Sequence, residues 1–128
     1  MLLKESWINI SDNTNIRWVK IFHLYKGFFR KKTYNGLFVK GSARVVEPPR
    51  IEYKGFKYKY SLKGDINRSW VVRTIFKNCS KDSSVILFGH NASILINKKQ
   101  NVKSKFLNGP ITQNIRIKKL HSVFNVVI

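Results

Sequence analysis

The sequence predicts a mostly β fold, a small barrel or sandwich in which no long helix takes part. Turn residues recur at short intervals: Gly27, Asn35-Gly36, Pro48-Pro49, Lys63-Gly64-Asp65, residues 78–83, Gly89-His90-Asn91 and Asn108-Gly109-Pro110. Between them lie β-branched and aromatic runs of strand length, which is how small all-β domains read. No Pro/Ser-rich linker, low-complexity tract or internal repeat divides the 128 residues, so one domain over 1–128 is expected.

Taken in order, "IRWVKIFHL" (16–24) and "LFVKGSARVVE" (37–47) have strand composition, with apolar residues on both faces. Neither inward side can be assigned from pattern alone. Gly41 is expected to mark a bulge or tight bend, and Pro48-Pro49 to end the second strand, because proline removes a ladder donor. The clearest alternation is "FKYKYSLK", with Phe56, Tyr58, Tyr60 and Leu62 on one face and Lys57, Lys59, Ser61 and Lys63 on the other. "SWVVRTIF" (69–76) opposes Trp70, Val72, Thr74 and Phe76 to Val71, Arg73 and Ile75, and the preceding "KGD" suggests a hairpin. Residues 53–76 thus read as two long strands folding back, within an extended hairpin at about 50–74. Two apolar runs flank the loop at 89–91 in "VILFGHNASILIN". After Gly109-Pro110, "ITQNIRIKKLHSVF" fits a helical turn or two with Thr112 as cap.

Charge bounds the function. The chain carries 25 Lys and Arg against 6 Asp and Glu, a formal +19, which repels itself unless a polyanion neutralises it. Nucleic acid is the expected partner. A cationic membrane-active protein would gather its charge on one amphipathic helix, and no such pattern is present. Apolar runs reach about four residues, far below the ~20 that span a bilayer, so a soluble protein without membrane partners is expected. Three Trp, nine Phe and five Tyr supply core material and argue against disorder.

Chemistry-bearing groupings are scarce. Cys79 is the single cysteine, which excludes an internal disulfide or a cysteine-rich zinc site. Asp12, Asp65 and Asp82 sit beside Asn, Gly or Ser, where an aspartate ordinarily stabilises its own turn. Glu5, Glu47 and Glu52 show no pairing pattern, and His23, His90 and His121 lack metal-ligand spacing. No enzyme activity, cofactor or metal is expected. His90, in its loop, reads as a turn residue, with Gly89 and Asn91 expected to supply permissive backbone angles.

Basic clusters recur along the chain. Arg30-Lys31-Lys32, Lys98-Lys99, Lys103, Lys105, and Arg116, Lys118 and Lys119 are separate groups, and Lys57, Lys59 and Lys63 form a basic strand face. Lysines on an edge strand also prevent aggregation, but several basic loops at once suit a surface pressed against folded RNA. Asn13, Arg17, Lys40, Arg44 and Arg73 complete the set expected to bind RNA. Asp12 and Asn13 read either as a polar turn or as RNA contacts.

Four blocks in order resemble a known family, large-subunit ribosomal protein fourteen, the universal uL-fourteen family. "NISDNTNIRWVKIFHLYKG" resembles its V-A-D-N-S-G-A-R opening, and "GDINRSWVVRT" its G-D-V-L-K-A-V-V-V-R-T. "SSVILFGHNASILIN" is similar to G-S-V-I-R-F-D-G-N-A-C-V-L-L-N, and "NGPITQNIR" to F-G-P-V-T-R-E-L-R. The resemblance covers most of the chain. It implies a five-stranded β-barrel with a projecting β-ribbon and short C-terminal helices, here with the ribbon extended. It further implies a structural protein of the large ribosomal subunit that binds large-subunit rRNA and lies beside other ribosomal proteins. The family also meets small-subunit rRNA at an intersubunit bridge, and a ribosome silencing factor docks on the same surface. Departures fall near that surface: the family's G-T-R is here Lys103-Ser104-Lys105, and a usual lysine aligns with Ser122. The stretch between Pro48 and Gly64 is longer than the family's.

Residues encoded by A+T-rich codons (Phe, Tyr, Ile, Asn, Lys) far outnumber those of G+C-rich codons (Gly, Ala, Arg, Pro), as in many organellar and parasite genomes. With the large sequence drift, this places the expected location in a mitochondrion, ahead of a plastid or the cytoplasm. "MLLKESW" resembles neither a secretory signal nor an organelle presequence, and synthesis inside the organelle would explain that. Two other classes remain at this point: a free-standing RNA-binding barrel or translation factor, separable by sedimentation with large subunits, and a small enzyme, separable by changing His90 alone.

Overall fold

Alternation of period two sets Ile8 and Ile10 inward and leaves Trp7 half exposed on the opposite side of the first barrel strand. The computed structural model describes residues 2–27, 29–48, 61–79, 81–97, 101–104, 107–112 and 124–127. Among them are strands β1 (Leu2–Leu3), β2 (Trp7–Ile10), β3 (Ile16–Leu24), β4 (Lys32–Thr33), β5 (Phe38–Val46), β6 (Ile66–Arg73), β7 (Asn78–Cys79), β8 (Val85–Ile86), β9 (Ala92–Ile96), β10 (Leu107–Ile111) and β11 (Phe124–Val127). The five strands β2, β3, β5, β6 and β9 close into a barrel in that order. All neighbours are antiparallel except at the seam, where β9 runs parallel to β2. Outside it, β1 pairs β4, β7 pairs β8, and β10 pairs β11 in parallel.

Five strands close because bulges bend them. Extra residues stand at Arg17 and Phe22 on β3, at Arg44 on β5 and at Val72 on β6, where the register shifts. Each bulge raises the local twist and coils the sheet toward closure. Gly41 lies opposite Ile21, at the last of the β3 shifts; a Cβ there would meet the Val19 side chain and come 2.6 Å from the Lys20 carbonyl oxygen. The expected bend at Gly41 is therefore a close approach of β5 to β3.

Two apolar clusters hold the fold. One draws Ile8, Ile10, Ile16, Val19, Ile21, Leu24, Val39, Ala43, Val71 and Leu95 from all five barrel strands, which only the barrel interior can do. The second draws Trp70, Val72, Ala92, Ile94 and Ile96 from β6 and β9 together with Leu107 and Ile111 of β10. The barrel wall is thus buried on its outer side as well where β10 lies near it. This is why β9 is buried throughout, and apolar except at Ser93, rather than alternating.

The strand readings at 16–24 and 37–47 match β3 and β5 almost residue for residue. "SWVVRTIF" lies three residues late, since β6 runs Ile66–Arg73, and its Trp70 and Val71 faces are both buried. The partners of β6 are β5 and β9, so the strand expected to return along a ribbon is a barrel strand. The other leg of the hairpin at about 50–74, over residues 50–60, lies outside the described residues. Its closing turn is seen: Leu62 N–H donates to Asp65 Oδ2 at 2.8 Å, Asp65 N–H to Leu62 O at 3.1 Å, and Gly64 N–H to Ala43 O at 2.8 Å. The C-terminal helix expected over residues 111–124 falls mostly outside the described residues; at its two ends Ile111 belongs to β10 and Phe124 to β11. The backbone angles expected of Gly89 and Asn91 are a correction: neither has positive φ. Asn91 contributes its side chain instead, Oδ1 accepting from Ile75 N–H at 2.9 Å.

Candidate nucleic-acid interface

The loop between β2 and β3, which opens the resemblance, is built inward. Asp12 Oδ1 accepts from Thr14 N–H and from the Thr14 hydroxyl, and Asp12 Oδ2 accepts from Leu95 N–H at 2.9 Å. Ser11 N–H donates to Ser93 O at 3.0 Å, and Asn108 N–H to Ser11 O at 2.9 Å. These bonds extend the short parallel seam between β2 and β9, so the carboxylate stands in for a missing strand carbonyl. Asp12 is fully buried, and burial pushes its pKa up despite the hydrogen bonds. Of the two readings for Asp12, the turn is the observed one.

Several residues expected at an RNA surface are engaged with protein. Arg17 grips Glu47 with both arms, Nε to Oε1 and Nη2 to Oε2 at 2.7 Å each. Lys103 is half buried, its Nζ donating to Asn67 Oδ1 at 3.1 Å; burial lowers its pKa while Asp12 and Asp65 oppose the shift. Arg73 is engaged more deeply than either. It is 4% exposed, and its Nη1 donates to the carbonyls of Asn108 at 2.8 Å and Pro110 at 3.3 Å, clamping the turn at Gly109. The strand pattern set Arg73 opposite Trp70 but could not reveal that both sides are covered.

Other cations face solvent. Lys31, Lys32, Arg44 and Lys63 are exposed, while Asn13, Arg30 and Lys40 are half-buried; Arg30 Nε donates to Lys32 O at 2.9 Å. Lys57, Lys59, Lys98, Lys99, Lys105, Arg116, Lys118 and Lys119 lie outside the described residues. Cys79 is exposed, and His90 is exposed in its bend. Among the described residues no three His, Cys, Asp or Glu side chains group as metal ligands, and no helix is long and apolar enough to cross a membrane.

A basic five-stranded barrel closed through an Asp-Asn turn is thus in place, and the model of one family, ribosomal protein L14p/L23e, matches the chain over residues 1–127. The chain belongs to this family. As a member of ribosomal protein L14p/L23e it is a structural, non-enzymatic constituent of the large ribosomal subunit, binds rRNA, has ribosomal proteins as neighbours and resides on the ribosome.

In this L14p/L23e chain Tyr25 and Arg68 carry no sequence signal of a site, and His23 reads only as a packed or surface strand residue. Arg68 Nε donates to the Tyr25 hydroxyl at 3.2 Å, its guanidinium carbon lies 5.3 Å from the Tyr25 ring centroid, and His23 meets that ring edge-on at 4.9 Å. Each stands alone in the sequence. Only the register of β3, β5 and β6 gathers them, because Asn67, Arg68 and Ser69 are all polar and their sequence does not say which of them faces outward.

Proposed function

We propose that the chain serves in the large subunit of a mitochondrial ribosome and reaches small-subunit rRNA at an intersubunit bridge. The observation that carries the RNA reading is charge that the protein does not offset itself. Against 25 Lys and Arg stand 6 Asp and Glu, of which Asp12 is buried and Glu5 and Glu47 are taken by Lys20 and Arg17. Lys31, Lys32, Lys40, Arg44 and Lys63 neutralise phosphates and release counterions, joined by Asn13, Arg30 and the basic residues at 57, 59, 98, 99, 105, 116, 118 and 119. A longer stretch between Pro48 and Gly64 supports an extended ribbon that carries Lys57 and Lys59 to further contacts. The A+T-rich codon bias and the drift from the family pattern support the mitochondrion. A silencing factor docking near Lys103-Ser104-Lys105 would have to use side chains other than Lys103, which is tied to Asn67.

Sedimentation of a mitochondrial lysate tests the reading. Co-migration with large subunits through a high-salt wash is expected, together with crosslinks to small-subunit rRNA in the joined ribosome that vanish in the isolated large subunit. Release to the top of the gradient overturns the ribosomal role, recovery only with cytoplasmic ribosomes overturns the location, and crosslinks confined to large-subunit rRNA overturn the bridge.

A further inference from the structure

Across three neighbouring strands the barrel wall carries a row of side chains that no ion pair among the described residues uses. The ladders set His23 of β3 opposite Lys40 of β5, and Lys40 opposite Arg68 of β6. Directly opposed residues share a face of the sheet, and like charges so placed are destabilising. Nothing among the described residues offsets them. Among the described residues Glu5 and Glu47 pair with Lys20 and Arg17, Asp12 is buried in the seam, Asp65 caps the turn at Leu62 and Asp82 caps Ser84. A Lys–Arg pair held side by side on a partly exposed wall is a cost to the fold that an anionic ligand would offset.

The pair is also prepared for one kind of ligand. Tyr25 receives Arg68 through Nε, at 3.2 Å, and lies beneath the guanidinium, while the edge of His23 packs on the same tyrosine. With Nε so anchored, the two terminal guanidinium nitrogens have no protein partner among the described residues. A fixed arginine fork suits bidentate recognition of phosphate oxygens, whereas lysine acts as a point charge. Strands about 4.8 Å apart keep the two charged heads close enough to serve one stretch of backbone.

We infer that His23, Lys40 and Arg68, with Tyr25 as the positioning residue, form a binding row for the phosphodiester backbone of rRNA. The inference rests on the family reading for rRNA as the partner; the row itself rests on register and on the Tyr25 contacts. It reads shape and backbone, not base sequence.

The test is binding of the full chain to deproteinised large-subunit rRNA over a series of KCl concentrations. Each of K40Q and R68Q is expected to lower the slope of log affinity against log salt by about 0.7–0.9, the value of one phosphate contact. Y25F is expected to weaken binding about threefold with the slope unchanged, because the charge remains and only the hydrogen bond that orients the fork is lost. Thermal unfolding should show K40Q at least as stable as the parent, since the like-charge pair is relieved and the Arg68–Tyr25 contacts remain. Unchanged slopes in both K40Q and R68Q, with parental binding strongly salt-dependent, overturn the row while leaving the family reading intact. Parental binding that ignores salt overturns the rRNA reading and the row with it. Variants that keep parental RNA binding but fail to retain a neighbouring protein in reconstituted subunits assign the row to an acidic protein segment and overturn the RNA assignment.

Discussion

Removal of the Asp12 carboxylate would leave the N–H groups of Thr14 and Leu95 buried without acceptors. D12A is therefore expected to lose about 3 kcal/mol in urea unfolding, the cost of unpaired donors in a closed interior. Its ionisation has a separate signature. Burial raises the folded-state pKa above the unfolded value near 3.8, so the stability linked to this proton is fully present below that value and is lost as pH rises through the folded pKa. Compared with D12N, which does not titrate there, the parent should lose stability over that rise; parallel pH profiles would place the carboxylate in water. At the opposite partner of the C-terminal segment, Gly109 has φ +85° and its missing Cβ leaves room for the Arg73 guanidinium. G109A is expected to cost about 1–2 kcal/mol through the strained backbone alone. The turn role of Asp12 was legible from its Asn and Thr neighbours, but its bond to Leu95 was not, because that partner is fetched by barrel closure.

Strand existence was written in composition and strand faces were not. β3 and β5 are recognisable as β-branched and aromatic runs, yet the bulges at Arg17, Phe22 and Arg44 break the period of two from which a face is read. Two glycines test the elements they belong to. G41A should cost about 2–3 kcal/mol, because the added methyl meets the Lys20 backbone oxygen, which cannot yield without opening the β3–β5 ladder. G89A should change stability by less than about 0.5 kcal/mol, because nothing lies within 4 Å of its Cβ position and its φ is not positive. Thermal unfolding of the two variants side by side checks both. β10 and β11 escaped the sequence reading for a different reason. They pair in parallel through Leu107 with Phe124 and Pro110 with Val126, and a proline inside a run reads as a stop until the irregular register that accommodates it is seen.

For the whole molecule, a formal +19 on 128 residues means the free protein works against its own field. Raising KCl from about 50 mM to about 500 mM should raise the Tm of the isolated chain, since screening shortens the range of repulsion from well over 10 Å to a few ångströms. A Tm that falls with salt would instead show that the Arg17–Glu47 and Lys20–Glu5 pairs outweigh the repulsion. Polyanion should stabilise further at constant ionic strength, because binding only the folded state shifts the unfolding equilibrium.

By itself the sequence determined the strand-rich class, the polyanion partner and, through four ordered blocks, the family. Those properties follow from local composition, total charge and residue order, all of which are present before the chain folds. The tertiary structure alone decided which cations the protein itself engages. It buried Arg73 on the Asn108 and Pro110 carbonyls, bound Arg17 to Glu47 and Lys103 to Asn67, and brought His23, Lys40 and Arg68 into one row. The physical reason is that a lysine or arginine has the same charge wherever it stands in the chain. Its availability depends on partners that closure of the barrel brings from dozens of residues away.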